Sequence, residues 1–479
     1  MSQHRRSSLT TRVLKAVAML GTARVTNMVC SVIRVKMIAL WLGPVGTGLN
    51  TILLNGASMI STATQLNLSD SAVRDLSIQS SDSNADLKAL VVRRWALLLG
   101  IIGALAMVVF SPLLSASAYG GSIDYSLSFA ALAPYVFFSA YSAGEFAILQ
   151  SRDKLKKIAH ANIATGVAAT AISIPLIYVL RMRAIVPVIN IFALSLATCA
   201  FLWRERGIAQ PSVKLDIHKL WSEGKSFIML GAAMSVSLLI STVTSYAMAA
   251  YINNTGGEAD LGIYQSGYTL VNSYVGIIFS AVAVEYYPRL AHLISRPVIS
   301  RAAMTHEFLL VVRLVTPIAV IFISSSQFIV ELLYSSQYEG VIPFVTLAII
   351  GAIFRGVSLC FVYRILAAGD SKAYMITESI SAVFGLAVNI IGYNYGSYSG
   401  LGVSYVIWYA FYAVLTAIIC HKRYRTAVPA KTWCTAIASA AICMITILMW
   451  KYIAWWLPLT TILPLIGLGF LWRGKRQKL

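Results

Sequence analysis

The sequence predicts an all-α polytopic membrane protein with about fourteen transmembrane helices, and three observations lead to that fold class. Of its 479 residues, 58% are hydrophobic and only 12% are charged, whereas a soluble domain carries roughly 25% charged residues. The mean hydropathy is +0.75. Apolar runs of about 18 or more residues recur from end to end, and each is long enough for a helix to cross hydrocarbon. Membrane β-strands, by contrast, alternate in polarity over about 10 residues.

The apolar runs give two sets of six predicted spans, followed by two more. The first set lies near residues 13–42, 46–67, 89–112, 126–149, 159–180 and 184–203. The second set lies near residues 226–252, 261–284, 303–329, 340–366, 373–393 and 400–420. The last two spans are predicted near 432–450 and 454–472. The longest connections, 67–90 and 203–225, are too short to hold a soluble domain.

Short internal repeats support a division into two lobes. "MLGTARVT" opens the first span and "MLGAAMSV" opens the seventh, and "ILQSRDK" resembles "ILAAGDSK" further along. Because six spans return the chain to its starting side, both lobes have the same orientation and form a parallel repeat. The predicted organisation has four segments: an N-terminal six-helix lobe at 1–205, a cytoplasmic linker at 206–225, a C-terminal six-helix lobe at 226–425, and two extra helices with a basic tail at 426–479.

The distribution of Lys and Arg predicts that both termini are cytoplasmic. With that orientation, 30 of the 38 basic residues fall in cytoplasmic segments, three fall in outer loops and five lie within spans. Cytoplasmic loops of membrane proteins carry this excess. The formal net charge of +20 is therefore explained by orientation and by attraction to anionic lipid, and we expect no nucleic-acid partner. The predicted location is the bacterial cytoplasmic membrane.

The first span carries polar residues on one face despite its apolar composition. At 100° per residue, Asn27, Ser31 and Arg34 lie within about 80° of Arg24, and the stripe is roughly 15 Å long. Lys36 lies on the other side of the helix. A charged stripe cannot face lipid. One explanation is structural, with each arginine paired to a buried carboxylate; the other is a cationic groove for an anionic ligand.

Similar polar stripes occur on two other spans. Asn55, Ser58, Thr62 and Gln65 share one face of the second span, and Gln265, Thr269 and Asn272 share one face of the eighth. Each stripe alone is explained by hydrogen bonds between helices, but together they favour a central wet cationic cavity between the lobes. Arg355, near the middle of the tenth span, is added to the candidate binding residues.

Ionisable residues near the cytoplasmic ends of spans are candidates for a proton site or a gate. They are Glu145, Glu285, Glu378 and Arg313. Snorkelling or helix capping explains such residues equally well.

Motifs of other chemistries are missing from the sequence. It contains no Walker A motif, the six His residues lack metal-ligand spacing, and no cysteines form a CxxC pair. We therefore expect no cofactor, no metal site and no enzymatic activity.

Three short motifs resemble bacterial polysaccharide flippases. They are "LGPVGTG" at 42–48, "GIYQ" at 262–265 and "YYPRL" at 286–290. On these motifs the chain resembles, over about residues 1–425, the Wzx-type O-antigen translocases of the multidrug/oligosaccharidyl-lipid/polysaccharide exporter superfamily. That family usually has twelve spans, and the two extra spans resemble the peptidoglycan lipid flippases.

The resemblance implies two six-helix lobes around a cationic cavity that opens alternately to the two sides. It implies an undecaprenyl-diphosphate-linked oligosaccharide as substrate, with membrane lipid, a polysaccharide polymerase and chain-length proteins as partners. A drug/cation antiporter of the same superfamily is a competing function, which would place carboxylates at the middle of the cavity. A membrane polymerase or ligase is another, which would need a large catalytic outer loop.

Overall fold

The protein is helical throughout the part of the chain that the structure describes. The structure, a computed structural model, describes residues 2–78, 82–205, 217–293 and 297–476, and no strand occurs in these ranges. The helices are α1 Ser2–Gln65, α2 Leu68–Ile78, α3 Asp82–Ala118, α4 Ser126–Ala130, α5 Ala133–Ser151, α6 Leu155–Leu180, α7 Ile185–Trp203, α8 Ile217–Thr269, α9 Val275–Leu293, α10 Pro297–Ser324, α11 Ser326–Leu333, α12 Ile342–Ala367, α13 Ser371–Tyr424, α14 Ala430–Tyr452 and α15 Leu457–Arg476.

Three of these helices are bent near the middle at the predicted outer turns. The backbone of α1 leaves helical geometry at Gly43 (φ 66°), that of α8 at Gly257 (φ 82°), and that of α13 at Gly396 and Ser397. Positive φ suits glycine because it has no Cβ. Each bend lies between two predicted spans. In α13 the two arms pack against each other, because Ser404 and Tyr412 of the second arm donate hydrogen bonds to Asn389 and Glu378 of the first.

Nine helical stretches of the described chain are long and apolar enough to cross a membrane. Two of them, Gly21–Ser77 and Ser371–Tyr424, hold 57 and 54 residues, although about 20 residues suffice for one crossing. The protein is therefore a multi-pass membrane protein. The predicted total of fourteen crossings stays a prediction.

Contacts divide the chain into two compact units, 1–261 and 262–479. The first arm of α8 thus packs with the first unit, where Trp95 donates its indole N–H to the carbonyl of Leu220 (3.1 Å). Near the other end of the arm, Asn253 donates to the carbonyl of Ala118 (2.8 Å). Residues 206–216 of the predicted linker lie outside the described residues, and the predicted lobe boundaries stay a prediction.

The predicted connection at 67–90 is largely helical, which differs from the expected loop. It contains α2 and the start of α3. Leu68 and Ala72 are buried on one face of α2, in a core shared with Val92 of α3 and Phe227 of α8. The connection was expected to be a loop because its polar residues conceal this short amphipathic pattern.

The second unit is built around α12. Of the candidate spans in the described chain, the one containing α12 is the most enclosed, because 78% of the residues in its most apolar stretch are buried. Its principal packing partner is α13. Gly351 and Gly402 let these two helices approach closely, because a Cβ on Gly351 would meet Tyr405 and one on Gly402 would meet Leu347. The position of α12 places Arg355 deep in this unit.

Candidate functional site: polar stripes of the two units

The predicted stripe on the first arm of α1 is only partly covered by protein. Arg24 and Ser31 are exposed, whereas Asn27 and Arg34 are half-buried. The arm also exposes an apolar face on the opposite side, where Val25 is 61% exposed and Val29 is 52% exposed. An apolar face suits lipid, but a face that carries two arginines does not. The two exposed faces therefore require different surroundings.

Neighbouring helices of the first unit hold the half-buried members of the stripe. The guanidinium of Arg34 lies 4.7 Å from the ring centroid of Phe192 on α7, within cation–π range. Asn27 lies against Gly166 of α6, where a Cβ would come within 2.1 Å of the Asn27 Oδ1. Gly166 thus provides the space for this amide.

The arginines of the stripe have no carboxylate partner in the described chain. Neither Arg24 nor Arg34 takes part in any of the ion pairs found between described residues. The structural explanation, in which each arginine is neutralised by a buried acid, therefore finds no support in this part of the protein. Arg24 remains a cation available to an external anion.

The second arm of α1 carries the other predicted stripe of this unit. Asn55 and Thr62 are half-buried. Gln65 donates from Nε2 to the hydroxyl of Ser139 on α5 (2.9 Å) and also to Ser61. Gln65 therefore has a structural partner within its own unit, whereas Asn55 and Thr62 make no hydrogen bond through their side chains to other described residues.

In the second unit, the structure brings Arg355 and Asn272 together. Asn272 lies in a π-helical turn, Leu270–Tyr274, a distortion that is frequent at functional sites. Its Oδ1 accepts hydrogen bonds from Arg355 and from the hydroxyl of Tyr405 (2.9 Å for Tyr405). Its Nδ2 donates to the carbonyl of Tyr268 (3.0 Å). The predicted Arg355 is therefore held by neutral polar groups rather than by an acid.

Aromatic rings complete the surroundings of Arg355. Its guanidinium lies 5.8 Å from the ring centroid of Phe279 and 5.6 Å from that of Tyr409. Gln265, the remaining predicted residue of this stripe, donates to the hydroxyl of Thr269 (3.3 Å). The result is a cation with tyrosine hydroxyls beside it, chemistry suited to an anionic or hydroxyl-rich ligand.

The tyrosines of this cluster were not among the predicted site residues. Tyr405, Tyr409 and Tyr412 follow one another at i, i+4 and i+7 and so lie on one face of α13. That spacing was a detectable signal. It is also typical of ordinary aromatic packing, and nothing local in the sequence connects it to Arg355 more than 45 residues earlier.

The three predicted acids among the gate and proton candidates have clear partners. Glu145, 1% exposed, is bound by Arg93 of α3 through both carboxylate oxygens. Glu378 accepts a hydrogen bond from the hydroxyl of Tyr412. Glu285, 66% exposed, pairs with Arg289 (3.1 Å). Arg313 is half-buried in α10.

A further acid, Glu307, was missed in the sequence. It is 1% exposed and pairs with Arg289 at 2.5 Å. It lies at the start of the ninth predicted span, where it looks like an ordinary residue at a helix end. Among described residues, no group of three or more His, Cys, Asp or Glu side chains is arranged to hold a metal ion.

A family model identifies the class of protein. The chain belongs to the polysaccharide biosynthesis protein family, whose model matches residues 55–343. The fold is shared with membrane transporters. The lipid II flippase MurJ, in an inward closed conformation, superimposes with a TM-score of 0.70 at 15% identity, over 96% of this chain and 99% of that chain. No curated protein matches the sequence.

Two other transporters have a similar fold. A multidrug resistance MATE family transporter of the MOP superfamily, in its inward-facing conformation, gives a TM-score of 0.67 at 13% identity, over 83% of this chain and 94% of that chain. A MOP superfamily transporter from Pyrococcus furiosus, for which a reversed polarity of the binding pocket suggests a different function, gives 0.60 at 12% identity, over 86% and 96%. At these identities the likeness shows the fold alone.

Proposed function

We propose that this protein is a flippase for an undecaprenyl-diphosphate-linked oligosaccharide, an O-antigen or related surface-polysaccharide repeat unit. It moves this lipid from the cytoplasmic to the periplasmic leaflet of the bacterial inner membrane by alternating access, with both of its own termini in the cytoplasm. The observation that carries the proposal is the α1 stripe, where Arg24 has no carboxylate partner among described residues. Membership of the polysaccharide biosynthesis family supports the substrate class.

The chemistry of the stripe suits a diphosphate. Arginine presents a planar fork of donors that matches phosphate oxygens. An intramembrane arginine costs at least about 2.5–3.5 kcal/mol on the insertion scale. An anionic ligand in a low-dielectric site offsets that cost, because attraction between opposite charges is stronger there than in water. We assign Arg24 and Arg34 to the diphosphate.

The neutral polar residues are assigned to the sugar. Asn27, Ser31, Asn55 and Thr62 offer hydroxyl and amide groups, and Gln65 and Gln265 extend the set. In the second unit, Arg355 and Asn272 lie beside tyrosine hydroxyls. Such groups exchange hydrogen bonds with a hydroxyl-rich ligand. No bond is made or broken in this scheme, so the protein acts as a transporter rather than an enzyme.

A peptidoglycan lipid precursor is the second candidate substrate. The superposition on the lipid II flippase spans 96% of this chain and 99% of the other, so it includes most of the C-terminal region that holds α14 and α15. Both candidate substrates are polyprenyl-linked and anionic, and both use the same cationic stripe. A comparison of the two lipids in one flipping assay distinguishes them.

A cation antiporter is less well supported. It needs an available carboxylate for its cationic substrate, but Glu145 and Glu307 are each bound by an arginine. Glu378, which forms no ion pair with an arginine among described residues, accepts a hydrogen bond from Tyr412. Polysaccharide polymerase and chain-length proteins are proposed partners, because polymerisation of the repeat unit consumes the flipped lipid.

Export of surface polysaccharide in cells tests the proposal. The double variant Arg24→Gln/Arg34→Gln should stop export while the protein level stays near normal, since removing intramembrane charge eases insertion. The Lys replacements should retain partial activity, because the charge remains but the bidentate fork is lost.

Lys36→Gln is the matched control, because it removes one charge from the same helix about 160° away from the centre of the stripe. It should leave export largely intact. Normal export in the Arg24/Arg34 double variant, or an equal loss in the Lys36 variant, would rule out this face as the ligand face.

A further inference from the structure

A cleft of about 450 Å³ in the second unit lies outside the proposed substrate path. It is formed by the C-terminal end of α13, the connection to α14 and the first turns of α14. Val414, Ala417 and Ile418 line one part of it, and His421 and Lys422 line another. The cleft therefore combines an apolar part and a basic part.

The helical spacing of the lining residues sets the direction of this polarity. Val414, Ala417, Ile418 and His421 follow one another at i, i+3, i+4 and i+7, which places them on one face of α13. From Val414 to His421 the helix rises about 10 Å. The cleft thus changes from apolar to basic along α13, toward the end that the distribution of Lys and Arg predicts to be cytoplasmic.

The basic residues in the cleft have no acid partner among described residues, unlike the next residue in the sequence, Arg423. Arg423 is neutralised by Asp370 at 2.5 Å. Lys422 and His421 form no ion pair or side-chain hydrogen bond with other described residues, and both are exposed. The positive charge of Lys422 and the donor groups of both side chains are therefore available to a ligand in the cleft.

Trp433 gives the cleft a fixed aromatic wall. Its ring stacks on Phe361, with centroids 5.9 Å apart and planes within 10°, and meets Phe308 edge-on at 5.4 Å. Its indole N–H makes no hydrogen bond to another described residue. Tryptophan is enriched at membrane interfaces because its ring is apolar and its N–H is polar. The wall therefore suits a ligand that lies at the interface.

We propose that this cleft binds an anionic glycerophospholipid of the cytoplasmic leaflet. Lys422 and His421 contact the phosphate, Trp433 lies at the level of the glycerol backbone, and Val414, Ala417 and Ile418 contact the first part of an acyl chain. Basic pockets between helices on the cytoplasmic side bind anionic headgroups. A free phosphate would use only the basic part, so the apolar part favours a lipid. This inference rests on the predicted sidedness and not on the flippase proposal.

Native mass spectrometry of the full-length protein, taken from nanodiscs of mixed phosphatidylglycerol and phosphatidylcholine, tests this site. The wild type should retain phosphatidylglycerol in preference to phosphatidylcholine. Lys422→Gln should weaken that retention roughly fivefold. A basic residue near an anionic surface contributes about that factor to the binding constant. Ala417→Phe should also reduce retention, because the added ring fills the apolar part without changing the charge.

Lys431→Gln is the matched control. It removes the same charge from an exposed position in the first turn of α14 that does not line the cleft. Retention should be unchanged in this variant. Three results overturn the proposal: an equal loss in the Lys431 variant, full retention in the Ala417→Phe variant, or displacement of the lipid by millimolar inorganic phosphate. Thermal unfolding in phosphatidylcholine alone identifies a variant that has simply lost its fold.

Discussion

At the residue scale, the buried acids of the helices have oppositely charged partners, whereas Arg24 of the α1 stripe has none among described residues. Glu145 and Glu307 are bound by Arg93 and Arg289. Arg24, by contrast, is exposed and has no acid partner among described residues. A buried carboxylate needs compensation because desolvation costs several kcal/mol per ion. The Arg93–Glu145 and Arg289–Glu307 pairs therefore have a structural role, whereas the arginines of the α1 stripe do not neutralise a buried acid.

The Arg93–Glu145 pair should be important for stability. Arg93→Met leaves Glu145 buried without its cation, and breaking a buried pair in this way costs about 3–5 kcal/mol. Thermal unfolding in detergent should show a clear loss for the single variant. The double variant Arg93→Met/Glu145→Met should recover most of that loss, because no uncompensated charge remains. A single variant as stable as the wild type would contradict this role.

Under the proposed transport function, proton coupling should involve Glu378 rather than Glu145. Both oxygens of Glu145 are engaged by Arg93, whereas Glu378 accepts a hydrogen bond from Tyr412 alone among described residues. Glu378→Gln should therefore abolish the response of flipping to an imposed pH gradient in vesicles. Glu145→Gln, tested beside it, should keep the response in whatever fraction of protein folds. A response that persists in the Glu378 variant would remove this residue as the proton carrier.

The sequence predicted the α1 stripe but not its surroundings. A rotation of 100° per residue was enough to place Arg24, Asn27, Ser31 and Arg34 on one face. Phe192 and Gly166, which contact the stripe, are more than 130 residues away, and no local pattern connects them to it. The tyrosines around Arg355 were missed for the same reason.

At the element scale, the sequence predicts the helices better than the turns between them. Apolar length was enough to predict where helices occur. It did not show how short the turns are, because helical geometry is interrupted at only one or two residues between the paired spans. The bends at Gly43 and Gly257 each have a positive φ, which glycine adopts readily because it has no Cβ.

The start of α13 provides a test at this scale. Asp370 caps the helix by accepting a hydrogen bond from the backbone N–H of Ala373 (3.0 Å). It also accepts from the Tyr424 hydroxyl (2.8 Å) and pairs with Arg423. Asp370→Ala should cost about 0.5–2 kcal/mol of stability. Asp370→Asn, which keeps a capping acceptor, should cost less in the same unfolding measurement.

The pH dependence of this cap follows from its pKa. The hydrogen bond from the Ala373 N–H, followed by the Tyr424 hydroxyl and the Arg423 charge, lowers the pKa of Asp370. A lowered folded-state pKa adds stability above the unfolded value of about 3.9, and this is lost as the pH falls through the folded value. The difference between wild type and Asp370→Asn should therefore be constant from pH 5 to 8 and disappear only in stronger acid. A difference that changes between pH 6 and 7 would contradict this account.

At the scale of the whole molecule, the predicted orientation in the membrane rests on 30 basic residues on one predicted side and three on the other. Reporter fusions after Cys420 and after Leu479 should both give cytoplasmic signals. A fusion after Lys451 should give a periplasmic signal and serves as the internal control. A periplasmic signal at Leu479 would remove one of the last two crossings and with it the fourteen-span arrangement.

The central claim is that a cationic face of α1 carries an anionic lipid-linked sugar across the membrane. The most direct measurement is flipping of an undecaprenyl-diphosphate-linked oligosaccharide by the purified protein in vesicles. Charge-assisted hydrogen bonds contribute about 1.5–3 kcal/mol each, so Arg24→Gln/Arg34→Gln should lower the rate about tenfold or more, while Lys36→Gln stays near the wild-type rate. A double variant that flips the lipid as fast as the wild type would contradict the account.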